Sequence, residues 1–423
     1  MHRLSLVIIF LSVHITIILG PEPYTAAEYR IDGTDFRDEL ICHYFDAGYQ
    51  IVEIVALLAI CHNVFISIRH VKRRLRHFGK RRRGDQSPVA DILEAFLYEL
   101  NSGSGECLGY RSMTRRLRTS HHLNVQRSTV RLLQHVLDPV GVENRTSRRF
   151  RRRIYTSRGP NYIIHVDGYD KLKPYGFAIH GAIDGFSRKV LWLTVGPSNN
   201  NPRIICNLFL KFICRLNAVP LIVRADRGTE NSIIANIQVA LRWYHNDAFS
   251  RERSFMFGRS TSNQRIECWW SQLRRMCTGF WINLFKDMRD EGIFDNSDII
   301  QVEIMRFCFS RLLQEDLDKS AREWNQHRIR HQRNMECPAG IPDMIYFAPE
   351  VYGSRDYKMP FDFTEEEIQE VREEYCSEYP QHGCARWLTH FLEDLLGGLD
   401  NYQMPTDIHE ARRLFMALKE IIE

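Results

Sequence analysis

Three acidic side chains, Asp167, Asp226 and Glu267, stand beside apolar segments in a pattern able to hold metal ions. The run Ile163-Ile164-His165-Val166 leads into Asp167, and Ile222-Val223-Arg224-Ala225 leads into Asp226. Each run reads as a strand, and two such strands lying parallel would bring both aspartates to the carboxyl edge of a sheet. Two carboxylates held close repel one another unless cations join them. Hard oxygen donors of this kind suit Mg2+ or Mn2+. The third carboxylate belongs to a helix expected to begin near Ser262. On a helical wheel Ile266, Trp269, Trp270, Leu273 and Cys277 share one face, while Glu267, Ser271, Arg274 and Thr278 share the adjoining one. With the apolar face docked on the sheet, Glu267 lies at the boundary, and Arg274 lies one row beyond it, placed for phosphate. Asn263, Gln264 and Arg265 crowd the helix start, where backbone N–H groups favour anions. A lone aspartate after a strand is more often a turn or cap residue than a reactive one. Only the three together point to a metal site.

The elements that must position these groups follow from a change of hydrophobic period near Tyr162. A strand is expected over 162–167, and two more over 176–183 and 189–195 are joined by Asp184-Gly-Phe-Ser-Arg188 as a hairpin. An amphipathic helix over 202–216 and a short buried strand over 221–225 follow. Strands, helix, strand and then helices fit a ribonuclease-H-like α/β core, a mixed sheet flanked by helices. Helices continue to about Ile329, then a Pro-rich turn region over 338–349 and an acidic helical tail. Two nearby aspartates have simpler explanations. Asp184 precedes a glycine in the hairpin turn, where Asp bonds its own backbone, and Asp170 falls in the loop after the first strand. His165 is either a neighbour supporting the site or a packed strand histidine.

Ahead of the sheet the pattern is helical and basic. Helices are expected over 36–47, 50–59 and from Ser67, a good N-cap, to Gly79. On the third, Ile68, Val71, Leu75 and Phe78 form an apolar stripe, and Arg69, Lys72, Arg73, Arg74 and Arg76 cover the rest. A short basic helix after two apolar ones is the layout of a helix-turn-helix, here over 36–83. A second helical unit with its Arg-rich linker, 88–153, has helices over 88–100, over 110–118 and after Ser128 as a cap, the last carrying Val130, Leu133 and Leu137. Asp138-Pro139 ends it. Arg115, Arg116, Arg118, Arg127 and Arg131 are expected on its outside. The residues expected to contact DNA are Arg69, Lys72, Arg73, Arg76, Arg115, Arg127, Arg131, Arg265 and Arg274.

Charge supports this division. The net charge of +5 conceals nine Lys/Arg within 69–83, six Arg within 145–153, and fifteen Asp/Glu against five Lys/Arg within 361–423. A basic front half and an acidic tail point to a polyanion met by the front half, with nucleic acid leading. The eleven cysteines include no Cys-x-x-Cys, which argues against a zinc ribbon or a disulfide scaffold and for reduced thiols inside the cell. Met1 to Gly20 stands apart as a short basic start and an apolar run. It reads as a signal peptide, as a short anchor, or as a leader unrelated to the rest. The remainder reads as nuclear or cytosolic, with no membrane partner, and secretion is the alternative if residues 1–20 act as a signal.

Asp167, Asp226 and Glu267, separated by 58 and 40 residues, resemble the D,D,E arrangement of retroviral integrases and related transposases. Asp226-Arg-Gly-Thr-Glu-Asn231 resembles the family's segment after its second aspartate, and STSNQRIE, ending at Glu267, resembles its polar run into the helix. Ile183-Asp184-Gly-Phe-Ser187 and Trp324-Asn-Gln-His-Arg-Ile-Arg330 with Pro338 to Pro342 look like its hairpin and its core ending. HVDGYDKLKPYGFAIHGAIDGFSR and Trp269-Trp270 look like the integrase-core proteins of animal and fungal genomes. The resemblance implies a catalytic core over 160–350 and two Mg2+ or Mn2+ ions, with Asp167 bridging both, Asp226 holding one and Glu267 the other. The implied reaction is phosphoryl transfer on double-stranded DNA ends by water or a DNA 3′-hydroxyl, with self-association into a homo-oligomer left open. The last spacing is longer than in retroviral integrases, so an enlarged loop is expected over 241–258. The retroviral zinc-binding module is absent, and the acidic region 361–423 does not look like those enzymes' basic barrel. The rival reading is a domesticated, catalytically silent DNA-binding or scaffold protein.

Overall fold

A helix starts well where a side chain can cap its free N–H groups, and Ser67 does so, accepting from the His70 amide at 3.2 Å. The structure, a computed structural model, describes residues 36–81, 86–101, 104–146, 155–258, 263–331, 337–361, 363–399 and 403–422. The apolar leader, Arg82 and Arg83, most of the Arg-rich linker and Ser260 to Ser262 lie outside the described residues. Three front helices, α1 (Phe36–Asp46), α2 (Ile51–His62) and α3 (Ile68–His77), enclose Leu40, Ile41, Tyr44, Ile54, Leu57, Val71 and Leu75. Of the expected stripe on α3, Val71 and Leu75 are buried, but Ile68 and Phe78 are each 42% exposed. The stripe is therefore narrower than expected, since only Val71 and Leu75 join the core of the front helices.

The second unit comprises α4 (Val89–Asn101), α5 (Tyr110–Thr119), α6 (Arg127–Leu137) and α7 (Pro139–Thr146). Gln126, not Ser128, occupies the cap position of α6, and Asp138-Pro139 leads into α7 instead of ending the unit, since proline suits a first helical turn. Val130 is buried and Leu133 partly so, whereas Leu137 is exposed. Arg116 is not on the outside. It is 1% exposed and bonds Glu323 at 2.7 Å and Glu99 at 3.1 Å. Removing one partner of such a buried ion group costs about 3–5 kcal/mol, so this group fixes the unit to the core. Arg118 likewise turns inward, onto the Val125 carbonyl.

The sheet has β1 (Ile164–Tyr169), β2 (Ala178–Asp184), β3 (Val190–Gly196), β4 (Val223–Asp226) and β5 (Phe255–Gly258), in the order β3-β2-β1-β4-β5. The first three are antiparallel neighbours, and β1, β4 and β5 run parallel. At the hairpin Asp184 accepts from the amides of Phe186 (3.1 Å) and Ser187 (2.7 Å) and from the Asn161 amide (2.8 Å), the turn role expected of it. β5 corrects the expectation of loop alone over 241–258. Only Phe255 of its apolar residues is buried, while Met256 and Phe257 are 40% and 49% exposed, so neither strand nor helix period is legible there.

Helices cover both faces. α8 (Pro202–Leu216) and α9 (Ser232–Leu241) bury Ile205, Phe209, Ile213 and Ile234 with Val166 and Val223. On the other face lie α10 (Gln264–Leu273), α11 (Gly279–Asp290) and α12 (Ile299–Gln326). A short helix, α13 (Pro342–Phe347), occupies the Pro-rich region and gives Met344 to the core of the front helices. The acidic tail forms α14 (Glu365–Tyr375), α15 (Arg386–Leu396) and α16 (Ile408–Ile422). Leu388, Leu392, Ala411, Phe415 and Leu418 from the last two share a core with α11 and α12, so the tail is acidic outside and apolar within. No helix among the described residues is long and apolar enough to cross a membrane.

Candidate active site

β1 and β4 set the first two carboxylates. Ile164 pairs with Val223 and His165 with Arg224, so two residues further along the same parallel register Asp167 and Asp226 stand side by side. Asp226 is held by the Gly228 amide and by the Asn231 side-chain amide, each 3.2 Å from its Oδ1. The third carboxylate arrives on α10, whose start is fastened to β1 by Asn263. That buried side-chain amide bonds His165 Nδ1 at 2.6 Å and donates to the Val166 carbonyl at 3.0 Å, while the backbone carbonyl of Asn263 accepts from the Glu267 amide at 3.2 Å. Asn263 thus anchors the start of α10 to β1. One turn on, Trp270 Nε1 donates to Asp167 Oδ2 at 2.8 Å. The ring fits because Gly181 lies beneath it; a Cβ there would meet Trp270 Cη2 at 2.8 Å.

Electrostatics follow from this placement. Burial pushes Asp167 up to about 7 despite the Trp270 hydrogen bond, with the charges of Glu267 and Asp226 adding to the rise. Glu267, exposed on α10, is also raised, by partial burial and then by Asp226. The three groups therefore sense one another. As they stand, no group of three or more His, Cys, Asp or Glu among the described residues could hold a metal ion. The donor chemistry nevertheless fits one, because mutually repelling carboxylate oxygens are what a hard divalent cation relieves.

Gly228, Glu230 and Asn231 also belong to the site, although the sequence marks them only within a longer motif. Asn231 also donates to Glu230 Oε1 at 2.9 Å, and Glu230 is raised by burial and by Asp226. Gly228 permits this, because a Cβ there would fall 1.9 Å from Glu230 Oε1. The signal was the spacing in Asp226-Arg-Gly-Thr-Glu-Asn231. His165 is fully buried with its second nitrogen 2.7 Å from the Tyr155 hydroxyl, a packed and doubly bonded histidine. Asp170 sits in the loop, bonded to Lys173 and Asn199.

Past Leu273 the helical wheel holds for Cys277, which joins the core, but not for Thr278. Residues 274–278 form a π turn, whose extra residue rotates the following positions, so Cys277 and Thr278 are both buried. Arg274 remains exposed at that turn. Arg265 is not free for phosphate as expected: its guanidinium lies 4.1 Å over the Tyr155 ring and Nη2 donates to Cys337 Sγ. Arg115 is likewise engaged, donating to the Glu323 carbonyl at 2.7 Å. Arg69, Lys72, Arg73 and Arg76 on α3, and Arg127 and Arg131 on α6, are exposed.

No curated protein matches the chain. Residues 154–346, a little under half of the chain, match the family model of the integrase core domain. Such domains act on DNA and in general use divalent metal ions. That stretch contains the sheet with Asp167, Asp226 and Glu267, and its match supports a retroviral-integrase-like core.

Proposed function

We propose that this protein is a transposon- or retroelement-derived integrase or transposase that cuts or joins DNA ends, built on a ribonuclease-H-like core. The observation that carries the reading is the parallel register setting Asp167 beside Asp226, with the helix of Glu267 tied to Asp167 through Trp270. Asp167, Asp226 and Glu267 would hold Mg2+ or Mn2+. Two such ions, when bound, supply Lewis acidity for in-line phosphoryl transfer. The chain's own contribution is to orient these groups. Trp270 and Asn231 fix the aspartate oxygens, Asn263 fixes the helix start, and Glu230 adds negative charge beside Asp226. The exposed cations of α3 and α6 would meet phosphates, the front helices acting as helix-turn-helix units, and Arg274 would meet phosphate near the site. We place this activity in the nucleus.

The test is incubation of the purified chain with candidate duplex ends and Mg2+ or Mn2+, followed by sizing of cleaved and joined strands. Metal-dependent products from wild type, lost in Asp226→Asn, support the reading. Absent products with DNA still bound favour a silent DNA-binding protein, and metal-independent products contradict the two-ion reading.

A further inference from the structure

On the sheet face away from α10, two cysteines from distant parts of the chain meet. Cys206 lies buried on α8, and Cys376 is the half-exposed residue that ends α14. Their Sγ atoms are 3.2 Å apart. The backbone on either side is held in place. The Ser377 amide donates to the Arg203 carbonyl at 3.1 Å, and Glu378 accepts from Lys211 at 3.0 Å and from Asn207 at 3.3 Å. Tyr379 packs against Gly196, where a Cβ would approach its ring to 2.2 Å. The segment after α14 is therefore strapped along α8, and small side-chain movements bring the sulfurs to bonding distance.

We propose that Cys206 and Cys376 form a peroxide-reactive dithiol site that closes to a disulfide and fastens the acidic tail to the core. The two sulfurs are unequal. The hydrogen bond with Cys206 holds the Cys376 thiol below its ordinary range, with Arg372, Arg203 and Lys211 helping. The same bond and burial push Cys206 up. A thiolate among cations is the nucleophile in such chemistry. Cys376 thiolate attacks a peroxide oxygen; the O–O bond breaks, hydroxide leaves and a sulfenic acid forms. Cys206 then gives up its proton and attacks the Cys376 sulfur. The S–S bond forms, the S–O bond breaks and water departs. Two thiols are oxidised and one peroxide is reduced to two waters. Partial exposure of Cys376 admits the oxidant, and burial of Cys206 protects the product.

The experiment treats the full chain with hydrogen peroxide, blocks remaining thiols and maps linked peptides by mass spectrometry without reduction. A Cys206–Cys376 peptide, with a Tm higher by a few degrees that dithiothreitol reverses, is the expected result. Cys206→Ser and Cys376→Ser each abolish both effects. Cys214→Ser preserves both, although Cys214 also lies near Arg372 and Cys376. Pairing of Cys376 with Cys214, a terminal sulfinic acid at Cys376, or a folded wild type whose two thiols stay reduced would overturn the proposal.

Discussion

The indole of Trp270 donates to Asp167 across 2.8 Å, so the helix that carries Glu267 also holds the aspartate of β1. A donor to a carboxylate favours its ionised form, and here it opposes the burial that pushes Asp167 up to about 7. Trp270→Phe removes that donor together with the outer part of the indole that lies over Gly181. Asp167 then rises further, and because it must be ionised to bind a cation, the acid limb of Mg2+-dependent activity moves to higher pH. A hydrogen bond to a charged group corresponds to a shift of roughly one to two pH units. A limb that does not move in a pH–rate comparison contradicts this role for Trp270.

The exposed cations of α3 make a separate prediction about DNA. Each phosphate contact contributes about −0.9 to the slope of log affinity against log salt on duplex DNA. Replacing Arg69, Lys72, Arg73 and Arg76 together by Gln should flatten the slope of the full chain by about 3–4. Arg115→Gln, which loses a bond to the Glu323 carbonyl, should lower stability and leave the slope alone. Equal slopes for wild type and the fourfold variant would place the DNA elsewhere.

What was legible in the sequence, and what was not, has a physical division. Strands β1 to β4 and helix α8 announce themselves because they bury long apolar runs, and the pairing of Asp167 with Asp226 follows from two runs ending in aspartate. Asp184 was legible as a turn residue because Asp before Gly bonds its own backbone. β5 was not legible, since an edge strand of four residues with two exposed aromatic or thioether side chains carries no period. Arg116 and Arg115 were misplaced because a buried arginine depends on distant Glu99 and Glu323, and surface placement is the ordinary fate of arginine. The π turn at 274–278 was not legible either, since Gly279 closes on the Arg274 carbonyl five residues back, a spacing that a 3.6-residue wheel does not carry.

Acid should reveal His180. It is fully buried, its Nδ1 accepts from Trp192 at 3.1 Å, and burial pushes it down to about 3. Below its ordinary value near 6.5 the unfolded chain takes up a proton that the folded chain refuses. Stability is thus lost as pH falls, by about 1.4 kcal/mol per pH unit from this group. His180→Gln removes the titration, so the stability advantage of wild type over the variant should shrink between pH 6.5 and 4.5 in denaturant titrations. A constant or widening advantage would show that His180 is protonated in the fold.

The central claim is that Asp167, Asp226 and Glu267 act together on DNA through bound cations. Glu267→Gln tests it most directly, because Glu267 is exposed on α10 and the change keeps its shape while removing its charge. Asp184→Asn, in the hairpin turn, is the matched control. The measurement is Mg2+- or Mn2+-dependent cleavage and joining of duplex ends, with DNA affinity and Tm recorded alongside. Glu267→Gln should lose at least about a hundredfold in rate at unchanged Tm and affinity, and Asp184→Asn should show a smaller loss that tracks stability. Equal rates for wild type and Glu267→Gln would contradict it.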